Sequence, residues 1–356
     1  MTMHVRPLRK PEQLPPAAAL NESERAFFAA HRTDGCLPFK VTQHYLSLID
    51  WTDPEDPIRR QCIPRREELN IRPCELSDPL GEDLSTASPR LIHRYPDRAL
   101  LLVTDRCAAY CRHCFRRRFS GRVGRSARSI GAVEVAAAAA YLRRHPEIRE
   151  LIFSGGDPLT LPDGKLSGLL ARFRGVDPTL AFRLHTRMPV VQPRRFTTKT
   201  AEKLAAFRPL RLVTQFNHPR ELCTASRLAI SALMSHDIPV LNQAVLLRGI
   251  NDDVGTQLEL IRTLIEAGIK PYYLFQGDLA QGTTHLRVPL EKGLRLMEEI
   301  KAVSGLPDEL LPVYALDQPG AGGKIALSRE TILEKTAEHY VLAGWDGRTC
   351  IYPVEK

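Results

Sequence analysis

The chain has 356 residues, 43% of them hydrophobic and 26% charged, the proportions of a globular protein with one large domain or two. No run of eighteen apolar residues occurs, and no apolar stretch follows the basic N-terminus, so neither a membrane span nor a signal peptide is expected. The net charge of +9 leaves two kinds of partner open, nucleic acid and small anions.

Residues 1–90 read as a helical leader with irregular connections. Ala17–Ala30 has helical spacing after Pro15 and Pro16, and the proline-bearing stretch Asp53–Pro79 reads as loops and short turns. From Arg98 onward, short apolar runs alternate with amphipathic stretches. Strands are expected at Ala99–Val103, Leu151–Phe153, Ala181–Leu184, Leu210–Thr214, Val240–Leu246 and Pro271–Phe275. Helices are expected near Val133–Arg144, Leu166–Phe173, Thr200–Ala206, Ala225–His236 and Gln257–Ala267. Six βα units imply a parallel sheet with right-handed crossovers, so the expected fold class is α/β, a partial (βα)6-type TIM barrel. The expected division is an N-terminal region 1–90, a core barrel 91–310 and a C-terminal segment 311–356.

Several polar groups stand just after these strands: a cysteine run after the first, Ser154–Asp157 after the second, Asn217 and His218 after the fourth, Arg248 after the fifth and Asp278 after the sixth. The C-terminal strand ends of a βα barrel form its active-site mouth, so residues scattered in sequence are expected to converge, which points to an enzyme.

Cys107, Cys111 and Cys114 have the spacing Cys-x3-Cys-x2-Cys, and the next cysteine is Cys223. Three thiolates can hold three irons of a [4Fe–4S] cube and leave the fourth open to an outside ligand. A tetrahedral zinc site completed by His113 is the alternative. Eight cysteines, three of them clustered, suit a reducing cytoplasm better than a disulfide scaffold. Seven arginines lie between Arg112 and Arg128, suited to nucleic acid or to carboxylates and phosphates, with Arg122, Arg125 and Arg128 read as a solvated face.

In Ser154-Gly155-Gly156-Asp157 the glycines permit close backbone approach to a ligand, and Asp157 can take an amine or serve as an N-cap. S-adenosylmethionine chelates an open iron through its amino and carboxylate groups, which would place its amine near this strand end. The run Pro319-Gly320-Ala321-Gly322-Gly323-Lys324 fails the phosphate-loop pattern, because Gln318 and Ile325 occupy its required glycine and hydroxyl positions. It leaves Lys324 either on a plain glycine turn or presented to pyridoxal phosphate.

Together with Arg98–Thr104, Phe216-Asn217-His218-Pro219, Asn242–Asp252 and Pro271-Tyr272-Tyr273, these motifs resemble the lysine 2,3-aminomutase family from about Ile92 to Ser328. The family consists of radical S-adenosylmethionine enzymes that also use pyridoxal phosphate. The resemblance implies that Cys107, Cys111 and Cys114 hold a [4Fe–4S] cluster. Ser154, Gly155, Gly156 and Asp157, with Gln243, would line the S-adenosylmethionine site. Lys324 would carry pyridoxal 5′-phosphate, making 311–356 a cofactor-lysine segment, with Tyr95 and Arg98 near the cofactor. Arg116 would pair with the substrate carboxylate, and Asp278 and Asp317 would grip the distal ammonium of lysine. The implied reaction interconverts L-lysine and β-lysine.

Alternatives are a lysine used for or attached to translation elongation factor P, another amino acid such as glutamate, or a zinc-containing binding protein. The family's longer members carry a cysteine-rich tail for zinc; here Asp253 follows Asn251-Asp252 and only Cys350 lies near the end. Gln215 stands where the family usually has histidine, and Phe115 is shared with its short members. An electron donor such as flavodoxin or ferredoxin and a homo-oligomer are expected; membrane and nucleic acid are not expected as partners.

Overall fold

The computed structural model describes residues 7–16, 18–30, 36–121, 127–318, 322–344 and 347–354. Ten strands form one sheet in sequence order: β1 (Thr86–Ser88), β2 (Leu91–Tyr95), β3 (Arg98–Thr104), β4 (Glu150–Gly155), β5 (Ala181–His185), β6 (Leu210–Thr214), β7 (Val240–Val245), β8 (Lys270–Phe275), β9 (Val313–Asp317) and β10 (Lys324–Ala326). Strands β3 to β9 are mutually parallel, while β1–β2–β3 and β9–β10 pair antiparallel at the two edges. The sheet is therefore an open, partial barrel of α/β class. It holds seven parallel strands, one more than the six expected. The additional one, β9, follows helix Leu290–Val303.

The parallel strands form because their side chains are buried on both faces, as in β4, where all six residues are buried. Phe153 of β4 meets Phe173 and Phe182 edge-on, at ring separations of 6.0 and 5.7 Å. Helices Ala132–Arg144, Asp163–Arg174, Thr198–Ala205, Thr224–Met234 and Val254–Glu266 stand between strands as expected. Helix Val254–Glu266 shows why: Asp253 caps Thr256 N at 2.9 Å, and Gln257, Leu260, Ile261 and Leu264 form its buried stripe.

The leader departs from expectation in two places. The helix placed at Ala17–Ala30 runs only over Glu22–Ala29, because Asn21 accepts from Glu24 N at 2.9 Å and starts the helix there; Ala17 lies outside the described residues. Within the loop-like stretch, Asp56 caps a short helix, Pro57–Cys62. Glu24 and Arg59, both fully buried, form a 2.6 Å ion pair between these helices.

The sheet also crosses both expected boundaries: β1 begins before residue 90, and β9 and β10 lie beyond 310. After them β11 (Ile332–Lys335), β12 (His339–Ala343) and β13 (Thr349–Pro353) make a separate antiparallel sheet. Tyr352 from this sheet is fully buried in the barrel, where its hydroxyl donates to Gly277 O at 2.8 Å and accepts from Gln276 Nε2 at 2.9 Å. It thereby fixes the turn that leads to Asp278. Among the described residues no helix is long and apolar enough to cross a membrane.

Tyr352→Phe leaves two buried groups short of a partner and should cost about 1–3 kcal/mol of folding stability. Urea unfolding of the variant against the parent protein measures that loss.

Candidate active site

A cavity of about 270 Å³ opens at the C-terminal ends of the parallel strands. All of the site residues implied by the family resemblance line it. Cys107, Cys111, Cys114 and Arg116 come from the loop after β3, and Ser154, Gly155, Gly156 and Asp157 from the end of β4. Gln243 lies on β7, Asp278 follows β8, and Asp317 ends β9. Lys324 opens β10, directly opposite Asp317 in register. Tyr95 and Arg98 flank the β2–β3 turn, with the Arg98 guanidinium 4.1 Å from the Tyr95 ring centre.

The two glycines at the end of β4 also serve a purpose beyond the ligand approach read in the sequence. Gly155 has φ +118°, and Gly156 N donates to Thr104 O at 2.6 Å while Asp157 N donates to Arg106 O at 2.7 Å. A Cβ on Gly156 would fall 2.3 Å from Arg106 O. The close approach is therefore to the cysteine loop, which the β4 turn pins in place. Asp157 is also committed: it accepts from Leu159 N at 3.0 Å, Thr186 Oγ1 at 2.7 Å and Arg187 N at 2.9 Å. The N-cap reading holds, and its carboxylate orients the next strand end. Burial lifts its pKa to about 6 against those hydrogen bonds.

Lys324 Nζ lies 2.8 Å from Asp317 Oδ1, and Lys324 N donates to the Tyr95 hydroxyl at 3.0 Å. Burial works against the Lys324 ammonium, but Asp317 and Tyr95 outweigh it and raise its pKa. Asp278 is pushed up to about 8, first by burial and then by the Asp317 charge, so it is largely protonated at neutrality. Pro319, Gly320 and Ala321 of the lysine loop lie outside the described residues.

The arginine run is not a free basic surface where it is described. Arg112 and Arg117 meet Glu68 at 2.6 and 3.5 Å, and Arg116 meets Glu82 at 2.6 Å. Arg118 meets Asp78 and Asp83 at 2.9 and 2.8 Å, and Arg128 meets Glu134 at 2.6 Å. Arg128 is thus an exposed ion pair; Arg122 and Arg125 fall outside the described residues. Of the other strand-end residues, Asn217 spends its side chain on Val245 N at 2.9 Å and Gln61 at 2.9 Å, and His218 caps Arg220 N. His218 and Arg248 do not line the cavity.

Five residues beside the site were not anticipated: Lys40, Glu82, His185, Arg187 and Thr214. The strand-end rule applied after β5 would have pointed to His185 and Arg187. Arg187 Nη1 donates to Cys111 Sγ at 2.9 Å, and its other donors reach Tyr45, Gln61 and Glu221 at 3.0, 2.6 and 2.6 Å. Lys40 Nζ donates to the Cys107 carbonyl. Glu82 had no motif around it, since only the fold brings it to Arg116.

Residues 101–275 match the radical SAM superfamily. Over 317 residues the chain is 39% identical to L-lysine 2,3-aminomutase of Clostridium subterminale, covering 89% of this chain and 75% of that one. The chain belongs to the lysine 2,3-aminomutase family. The Bacillus subtilis L-lysine 2,3-aminomutase is 40% identical over 89% of this chain and 66% of its own. Glutamate 2,3-aminomutase of Clostridioides difficile is 35% identical over 86% of this chain and 72% of its own. As a member of this family the protein is an isomerase, and its cofactors are a [4Fe–4S] cluster, S-adenosylmethionine and pyridoxal phosphate.

The residues present fit those groups. Burial, and then neighbouring negative charge, raises the Cys107 and Cys114 thiol pKa values, so the positive charge of bound iron is what ionises them. Among the described residues no three His, Cys, Asp or Glu side chains form a single-ion site. His113 faces Gln215 Oε1 and Asn217 Nδ2, both at 3.4 Å, and burial and then Arg187 drive its pKa down to about 3. Buried polar atoms without partners, His113 Nδ1, His185 Nε2 and Thr214 Oγ1, belong to residues lining the cavity, where a polar cofactor can satisfy them.

Gly156→Ala should displace the cysteine loop and lower iron and sulfide content after anaerobic reconstitution. Gly164→Ala, on helix Asp163–Arg174 with nothing within 4 Å of the added Cβ, should leave both unchanged.

Proposed function

We propose that this chain interconverts L-lysine and β-lysine by 1,2-amino migration. The observation that carries the reading is the pair of carboxylates, Asp278 and Asp317, in the same cavity as Lys324 and Arg116. A substrate with a carboxylate at one end and an ammonium at the other complements that arrangement. The side-chain carboxylate of glutamate would meet like charge at Asp317 once Lys324 has left it, and it would gain no ion pair from Asp278.

When bound, the cluster and S-adenosylmethionine supply the one-electron chemistry that opens a C–H bond, and pyridoxal phosphate carries the migrating amino group. Cys107, Cys111 and Cys114 would hold the cluster, with Arg187 against Cys111. Ser154, Gly155, Gly156, Asp157 and Gln243 would line the S-adenosylmethionine site. Lys324 would carry the pyridoxal phosphate, with Tyr95 and Arg98 beside it. To bond to the cofactor, Lys324 must give up its proton, which also dissolves its ion pair with Asp317. Asp317 then becomes available to the substrate ammonium, so one carboxylate serves two cations in turn. Arg116 orients the other end, and the enclosing strand ends keep water from the reacting carbons.

The three segments divide the work on this reading: 1–90 supplies Glu82, 91–310 the cysteines, and 311–356 the cofactor lysine. We place the enzyme in a reducing cytoplasm, the compartment that suits eight cysteines of which three are clustered. We also assign a flavodoxin- or ferredoxin-type donor and a homo-oligomeric state to the enzyme as proposals.

Anaerobic product analysis with lysine and glutamate in parallel tests the reading. β-Lysine is expected; β-glutamate would overturn the substrate assignment. No product from cofactor-loaded enzyme would direct attention to a lysine carried on translation elongation factor P.

The raised Asp278 pKa yields a second test. Gripping an ammonium requires the ionised carboxylate, so below about pH 8 binding must expel a proton. Lysine affinity should therefore rise with pH from 6 to 8 and then level off. Asp278→Asn should bind more weakly and flatten that slope, as read by titration calorimetry.

A further inference from the structure

Glu82 sits on a short 3₁₀ turn, Glu82–Ser85, just before β1. Its carboxylate reaches into the cavity wall and meets Arg116, with both side chains about nine-tenths buried. Arg116 Nε bonds Glu82 Oε2 at 3.0 Å, and Nη2 bonds Glu82 Oε1 at 2.6 Å. Nη1 donates to Ser154 Oγ at 3.0 Å. A guanidinium has five N–H groups and two edges that can each face a carboxylate. Glu82 occupies the Nε–Nη2 edge. Beyond these bonds Nη1 and Nη2 each keep one N–H.

We propose that Glu82 is a positioning residue for substrate recognition, holding one edge of Arg116 so that the other presents a two-point fork to the α-carboxylate of the amino acid. The proposal rests on the reading above that Arg116 receives that carboxylate. A second consequence follows from charge. Asp317 lines the same cavity as Arg116 and attracts it across the site. Without Glu82 the guanidinium would be drawn toward it, and the two oppositely charged ends of the substrate site would neutralise each other. Glu82 keeps them apart.

The shell around Glu82 supports a fixed geometry. The next residue, Asp83, holds Arg118 at 2.8 Å, and Asp78 holds the same guanidinium at 2.9 Å. The turn and the segment before it are thus tied to the arginine run at two further points.

The test compares binding of an amino acid and its α-amide to cofactor-loaded enzyme, using whichever of lysine and glutamate the parent enzyme converts. The parent should prefer the acid. Glu82→Gln should shrink that preference by roughly tenfold or more, the scale of one lost charge-assisted hydrogen bond. Glu82→Asp, a smaller lesion that keeps the charge, should shrink it part of the way, with iron, sulfide and pyridoxal phosphate content at parental levels. If Glu82→Gln does not fold, Glu82→Asp carries the same measurement. Parental preference in the variants overturns the proposal, as does equal weakening of acid and amide, which would make Glu82 merely structural. A parent enzyme that does not distinguish acid from amide removes Arg116 from carboxylate recognition, and so defeats the underlying assignment separately.

Discussion

Four guanidinium groups, on Arg112, Arg116, Arg117 and Arg187, lie out of water beside the cysteine loop, and each must meet a carboxylate. Glu68 serves Arg112 and Arg117, Glu82 serves Arg116, and Glu221 serves Arg187. Two of those carboxylates come from the leader, which also sends Tyr45 and Gln61 to Arg187. The leader is therefore bound to the barrel by neutralisation of buried charge as well as by apolar packing. The same constraint explains why a strongly basic run of sequence does not produce an open basic surface among the described residues.

The cavity has a charge layout that follows its topology. Arg116 stands after β3, while Asp317 and Lys324 stand opposite each other on β9 and β10, at the far edge of the sheet. Between them the parallel strands supply glycines, hydroxyls and neutral imidazoles. Burial, helped by Arg183, Arg116 and Lys324, keeps His185 neutral. A cation-rich end and an anion-rich end in one small volume hold their charges only if rigid neighbours stop them from collapsing onto each other. Glu82 restrains one end. At the other, the β9–β10 hairpin fixes Lys324 against Asp317.

Much of this was legible in the chain because strand periodicity and strand-end placement are local signals. The six expected strands and five helices fall where periodicity put them, and the site residues implied by the family resemblance reach the cavity, whereas Asn217, His218 and Arg248 at other strand ends do not. Other features needed the fold. The β4 glycines line the cavity and also pack against Thr104 and Arg106 of the cysteine loop. Asp157 lines it too, while serving as an N-cap and accepting from two further donors after β5. Strand β9 and the sheet of β11 to β13 escaped notice because short strands after a long helix carry little periodicity.

What the sequence by itself determined was the chemistry: three cysteines at cluster spacing and, through the family resemblance, a cofactor lysine on a glycine loop and two acids suited to an ammonium. Those properties belong to side chains and to local spacing, so they survive without coordinates. Tertiary structure alone decided which charges neutralise which. Glu82 and Arg116 are thirty-four residues apart, and Arg187 is seventy-six from Cys111. No local pattern encodes such pairings, because they arise only when the sheet has curled and each buried charge must find a partner within hydrogen-bonding reach.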